Sequence, residues 1–134
     1  MLVIGLLIGG VLAGVMLIDE GEVVTLYTSG PDGDQYGTQL WVIDEGGELY
    51  LRAHYGGARW LGRIVDRPQV ELRRGKMYCS FRAGPVDDPE VRRAVNRAMA
   101  AKYGLADRLA SVVWNPERSV PVHLDRDDAP AERP

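Results

Sequence analysis

The stretch 49–72, LYLRAHYGGARWLGRIVDRPQVEL, decides how the rest of the chain is read. A short β run, Glu48 to Ala53, breaks into a Gly-Gly loop, and a basic amphipathic helix is predicted over Arg59 to Asp66. Pro68 stops that helix, and a second β run opens at Gln69. Between the strands, Gly56 and Gly57 let backbone approach a ligand closely, and the helix start behind them points N–H groups outward, a combination that favours an anion. Arg52, Arg59 and Arg63 add forked donors suited to phosphate. The competing reading is that these arginines coat a surface helix.

The remainder of the chain reads as strands and turns. Glu22 to Thr28 is rich in β-branched and aromatic residues, and Ser29 to Gly37 has turn chemistry. Thr38 to Asp44 is the second strand; Glu45-Gly46-Gly47 closes a hairpin onto the third, Glu48 to Ala53. Gln69 to Arg73 and Met77 to Gly84 form another hairpin. Asp87-Asp88-Pro89-Glu90 starts a helix by capping, proline in the first turn and a carboxylate at the positive dipole end. That helix runs to Tyr103, where Gly104 ends it, and Ala106 to Trp114 continues as a second helical piece. Arg118 to Leu124 is a last strand, with Pro121 implying an edge or a strand end. Asp125 to Pro134 is polar and proline-bearing, the composition of a disordered tail. Hairpin-linked strands with a single helical insertion predict a mainly β protein with helical insertions, a small antiparallel barrel over 22–124. A parallel sheet would need a helix between nearly every strand pair.

The chain has 134 residues and one cysteine, Cys79, which excludes an internal disulfide and any cysteine-based metal site. Its place in an alternating run predicts a buried, inert thiol. His54 and His123 lack ligand spacing, so no metal is expected. A net charge of -3 and a pI of about 5.4 argue against nonspecific nucleic-acid binding, which needs a basic face.

Leu2 to Ile18 is apolar or glycine throughout. As a helix it would span about 26 Å, slightly short of a hydrocarbon core. A membrane anchor, a secretory signal and a buried core segment compete for it; the anchor leads, because the run has no polar face to turn to water. On that reading residues 1–18 tether a membrane-associated, single-pass protein. No Lys or Arg precedes Arg52, so the side of the membrane is open.

The order and spacing of these pieces resemble the flavin-binding split-barrel group. The chain is most similar to its deazaflavin-dependent nitroreductase-like branch and more distantly to the pyridoxamine phosphate oxidase fold. The residues that carry the likeness are Val24 to Thr28, Thr38 to Ile43 with Leu49 to Arg52, Trp60-Leu61-x-x-Ile64-x-x-x-Pro68-x-Val70-x-Leu72, Val86-Asp87-Asp88 to Lys102-Tyr103-Gly104, and Ser119 to Val122. The resemblance implies a split barrel that binds a flavin-type cofactor, FMN or the deazaflavin coenzyme F-420, often at a homodimer interface. It implies that Arg52 and Arg59 meet the phosphate, with Gly57, Ala58 and Trp60 around the helix start. Thr38, Gln39 and Trp41 would lie beside the ring. The branch that uses the deazaflavin commonly carries a basic turn between its first strands; here the turn is the acidic Pro31-Asp32-Gly33-Asp34-Gln35, which leaves both cofactors open. The implied activity is a tethered oxidoreductase reducing a small quinone- or nitro-like acceptor, on the cytoplasmic face if deazaflavin-dependent. His54 is the one candidate proton donor. The alternatives are a non-catalytic barrel that holds a cofactor or lipophilic ligand, and a structural dimerising domain.

Overall fold

Alternation builds the barrel one strand at a time. In β1 (Val23–Ser29), Val24, Leu26 and Thr28 are buried and the residues between them face out. The same period-two pattern turns Val42 of β2 (Gln35–Glu45) and Leu51 and Ala53 of β3 (Glu48–Ala53) inward. It does so for Val70 and Leu72 of β4 (Gln69–Arg74), Phe81 and Ala83 of β5 (Met77–Pro85), and Val122 and Leu124 of β6 (Val120–Arg126). These side chains form one core, and in the computed structural model, which describes residues 21–126, the six strands close into an antiparallel barrel in the order β1-β2-β3-β6-β5-β4. Helix α1 (Arg59–Asp66) adds Trp60, Leu61 and Ile64 to the same core.

The β2–β3 ladder ends at Val42↔Leu51; before it, β2 pairs only with β1, and beyond it β3 pairs only with β6. This is the seam of the barrel. Helix α2 (Pro89–Tyr103) lies outside it, and Val95, Met99 and Tyr103 cover Ile43, Trp41 and Tyr50. Asp88 caps α2 by accepting from the Glu90 N–H, with Pro89 in the first turn, as its sequence predicts. Helix α3 (Leu105–Val113) follows directly after Gly104 (φ 54).

Side chains of α2 close β2 where β1 begins. The Tyr103 hydroxyl accepts from the Val42 N–H (3.1 Å) and lies within donating distance of the Val42 and Glu22 carbonyls (2.9 and 2.8 Å). Lys102 Nζ donates to the Val42 carbonyl and to Glu22 Oε1, both at 2.8 Å. Arg74 grips the same Glu22 carboxylate from β4. A tyrosine and a lysine thus stand in for a neighbouring strand.

Several expectations change. Among the described residues no helix is long and apolar enough to cross a membrane. The reading of a membrane-associated, single-pass chain is corrected on that finding: α1, α2 and α3 have 8, 15 and 9 residues, against the roughly 20 that a span needs. The run Leu2 to Ile18, on which it rested, lies outside the described residues. Pro121 is not on an edge, because a closed barrel has none; it pairs with Arg52 near the start of β6, and its carbonyl accepts from the Val86 N–H. Asp125 and Arg126, expected in a tail, pair with Arg82 and Phe81; the rest of that tail lies outside the described residues. The β1–β2 turn is tighter than expected, since β2 already begins at Gln35. Cys79 is half-buried against the core.

Two outcomes follow for stability. Removing the hydroxyl in Tyr103→Phe leaves the Val42 N–H unsatisfied and costs about 1–3 kcal/mol in urea unfolding. The Arg74 hydrogen bond holds the Glu22 carboxyl at about 2 against the upward push of burial, with Lys102 assisting. A depressed carboxyl stabilises the fold above its ordinary value of 4.5, and this stability is lost as pH falls through about 2. Glu22→Gln should flatten the acid limb of a thermal-stability profile between those limits.

Candidate functional site

Outer-facing residues of β3 come next to the loop that opens α1, and the chemistry gathers there. Arg52 is 8 % exposed, and both terminal nitrogens of its guanidinium are engaged. Nη2 donates to Asp107 Oδ1 on α3 at 2.6 Å, and Nη1 donates to Asn96 Oδ1 on α2 at 3.0 Å. Asn96 is fixed in turn by donating to the Pro116 carbonyl (3.0 Å), and the Ser119 hydroxyl approaches both of those acceptors. The pair lies inside the protein, and Ala106 and Asp107 are the two residues that α3 buries. Arg52, expected at a phosphate, is thus found bonded to Asp107 of α3. Buried and bonded at both ends, this guanidinium is less open to a ligand than the exposed Arg59.

Two residues further on, His54 lies flat on Trp114 (centroids 5.0 Å, planes 7° apart), and Tyr55 is parallel to the same indole (5.7 Å, 2°). Tyr55 and Trp114 are both exposed, so the stack presents an aromatic surface to solvent. Below it a shallow recess is lined by Arg52, His54, Ser111, Trp114, Asn115 and Ser119. Burial, reinforced by the Arg52 charge and opposed by Asp107, pulls the His54 imidazole down to about 4. Held that low, it is neutral at neutral pH, with one ring nitrogen to donate and one to accept.

The loop then runs through Gly56 and Gly57 to Ala58 and α1. No side chain caps this helix start and no acidic residue stands in its first turn. Arg59 is exposed at its first position, and its guanidinium has no hydrogen-bond or ion-pair partner among the described residues. The acidic β1–β2 turn lies at the other end of α1, where Arg67 reaches the Pro31 carbonyl (3.4 Å) and Arg63 donates to Thr28 Oγ1 (2.8 Å). A helix of this length holds the two ends roughly 12 Å apart.

The remaining predicted residues divide. Trp60 points into the barrel core. Trp41 stacks on Tyr103 (4.4 Å, 9°) under α2, 6.0 Å from the Arg52 guanidinium, and its buried Nε1 has no hydrogen-bond partner among the described residues. Gln39 is exposed and Thr38 half-buried on the part of β2 that pairs with β1. The structure thus brings Arg52 and Trp41 together as packing groups, and keeps Gly57, Ala58 and Arg59 together on the surface. Among the described residues no cluster of His, Cys, Asp or Glu could hold a metal ion. Sequence reasoning missed Asp107, Asn96 and Trp114. Asp107 carried one signal, a lone carboxylate in an apolar helical run.

No family model and no curated protein matches the sequence. Solved structures do share the fold, and they are split-barrel proteins. One is an F420-H2 dependent reductase, FDR-A (16% identity, TM-score 0.57, covering 79% of this chain and 96% of that one). Another is HutZ, the heme storage protein of Vibrio cholerae (15%, 0.64, 82% and 84%). A third is the conserved hypothetical protein Rv2991 of Mycobacterium tuberculosis (22%, 0.62, 79% and 73%). At these identities the likeness establishes the six-stranded split barrel and nothing further.

The ion pair makes a direct test of what Arg52 does. Asp107→Ala leaves a buried guanidinium uncompensated and should cost about 3–5 kcal/mol in denaturant unfolding. Arg52→Met combined with Asp107→Leu should recover most of that loss, as a packing role requires and a ligand-binding role does not.

Proposed function

We propose that this chain is a flavin-type redox protein, holding FMN or the deazaflavin coenzyme F-420 on the outside of the barrel and reducing a small quinone- or nitro-like acceptor. The observation that carries the reading is the exposed, unpartnered Arg59 at an uncapped helix start beside Gly56-Gly57, on a fold shared with an F420-H2 dependent reductase. The residues fit the phosphorylated end of such a cofactor well. Glycine gives close approach of backbone, the helix start supplies a partial positive charge, and a guanidinium supplies forked donors. When bound, the cofactor would supply the hydride.

On this reading Gly57, Ala58 and Arg59 hold phosphate, and the parallel Tyr55 and Trp114 rings offer a flat surface to the ring or to the acceptor. Arg52 acts as a positioning residue: through Asp107 it fixes α3, and α3 carries Trp114. Gln39 and Thr38 would reach the ring along β2. Neutral His54 accepts or donates one hydrogen bond at the back of the stack without adding charge to a hydride acceptor. A second copy of the chain could complete this surface, as the resemblance implies. One observation favours a second reading, a non-catalytic module for a planar ligand: the likeness to a heme storage protein.

Titrating the full chain with FMN, and separately with F-420, should yield a saturable absorbance or fluorescence change with one of them. Arg59→Ala should weaken that affinity about 10–100-fold, the worth of one charge-assisted contact, with the melting temperature unchanged. Unaltered affinity would sink the phosphate assignment. Binding without turnover of a quinone or nitroaromatic acceptor would select the non-catalytic module.

A further inference from the structure

We infer that Gly57 is a positioning residue: its bare Cα seats the ring of Tyr55 and so sets the aromatic surface that Tyr55 makes with Trp114. Two glycines stand in this loop, and their surroundings differ. A Cβ added to Gly56 would meet nothing within 4 Å. A Cβ added to Gly57 would stand 2.9 Å from Cε2 and 3.3 Å from Cδ2 of Tyr55. Both distances fall inside the roughly 3.5–4.0 Å at which carbon atoms attract. Neither glycine has a positive φ, so no left-handed turn demands one at either place. The close approach that glycine permits at position 57 is already taken, by the chain's own tyrosine.

The loop around Gly57 holds the ring in that place. The Ala58 N–H donates to the Tyr55 carbonyl at 3.3 Å, and this turn brings Gly57 back beside the Tyr55 side chain. The Tyr55 hydroxyl has no hydrogen-bond partner among the described residues, and the residue is 47 % exposed, so ring contacts fix it. Its plane lies 2° from that of Trp114, which stands at the end of α3. A side chain at position 57 would push the ring out of this arrangement. The cost would fall on the stack rather than on the fold, because an exposed tyrosine can turn into water. The consequence for a ligand rests on the flavin reading proposed above: a weaker grip on the flat part of the molecule, with the Arg59 contact to phosphate unchanged.

Spectra of the ligand-free full chain test the seat, and riboflavin, which has the ring but no phosphate, tests its use. Gly57→Ala should change the near-ultraviolet circular dichroism as Tyr55→Ala does, whereas Gly56→Ala should leave it as it is. Added to Tyr55→Ala, Gly57→Ala should change nothing more. The melting temperature should not fall in either glycine variant, since alanine restricts the unfolded chain. Riboflavin affinity should drop about three- to tenfold in Gly57→Ala and in Tyr55→Ala, and hold in Tyr55→Phe and Arg59→Ala. A Gly57→Ala spectrum matching that of the unaltered chain would overturn the seat. So would riboflavin affinity unchanged in Gly57→Ala while FMN affinity falls, which would make Gly57 a phosphate contact instead. A chain that binds no flavin would remove the cofactor reading proposed above and leave the spectra to decide the role of Gly57.

Discussion

A guanidinium taken out of water has to be met by a carboxylate, and the Arg52–Asp107 pair is the contact from which the outer layer of this protein takes its geometry. Arg52 leaves β3 on the face opposite the core, so its charge would sit against the barrel wall with nothing to satisfy it. Asp107 arrives from α3 and Asn96 from α2, and together they occupy both ends of the guanidinium. Because α3 turns only Ala106 and Asp107 inward, this pair holds a helix that hydrophobic burial alone would hold weakly. The position of Trp114, and with it the stack on His54 and Tyr55, depends on that hold.

The barrel solves a related problem for its backbone. Six strands close without an edge, yet they stagger, so Val42 of β2 extends past the start of β1. Its N–H and C=O are met by the Tyr103 hydroxyl and the Lys102 ammonium. The same two side chains hold Glu22, tying the entrance of β1 to the end of α2. Barrel closure and helix docking are one cooperative arrangement: the end of α2 serves as both a lid over the second apolar cluster and a hydrogen-bonding partner for the sheet.

Burial then sorts the basic residues by what remains to them. Arg52 is spent on Asp107, Arg63 on Thr28 and the Tyr36 ring, and Arg74 on Glu22. Arg59 is left exposed at a helix start beside two glycines, where an anion would find both a fixed charge and backbone donors. The acidic turn at Pro31 to Gln35 meets the far end of α1, through Arg67, so the helix separates it from that spot. This separation weakens the electrostatic objection that the sequence raises against a polyanionic ligand.

How much of this was legible follows from the range of the forces involved. Strand alternation, the Gly-Gly and proline breaks, the Asp88 cap and the Gly104 stop are local preferences of a few neighbouring residues. From them the chain's own letters determined the antiparallel barrel, the inserted α1 and the extents of its elements to within a few residues. The same letters marked Arg52 and Arg59 as equals, since both are arginines beside one loop. Only the tertiary structure separated them, because the partners of Arg52 stand 44 and 55 positions away and become neighbours only when α2 and α3 fold back on β3. The pairing of His54 with Trp114, and of Tyr103 with Val42, is of the same kind. Such contacts have no local signature, and burial decides which charge is consumed and which is left exposed.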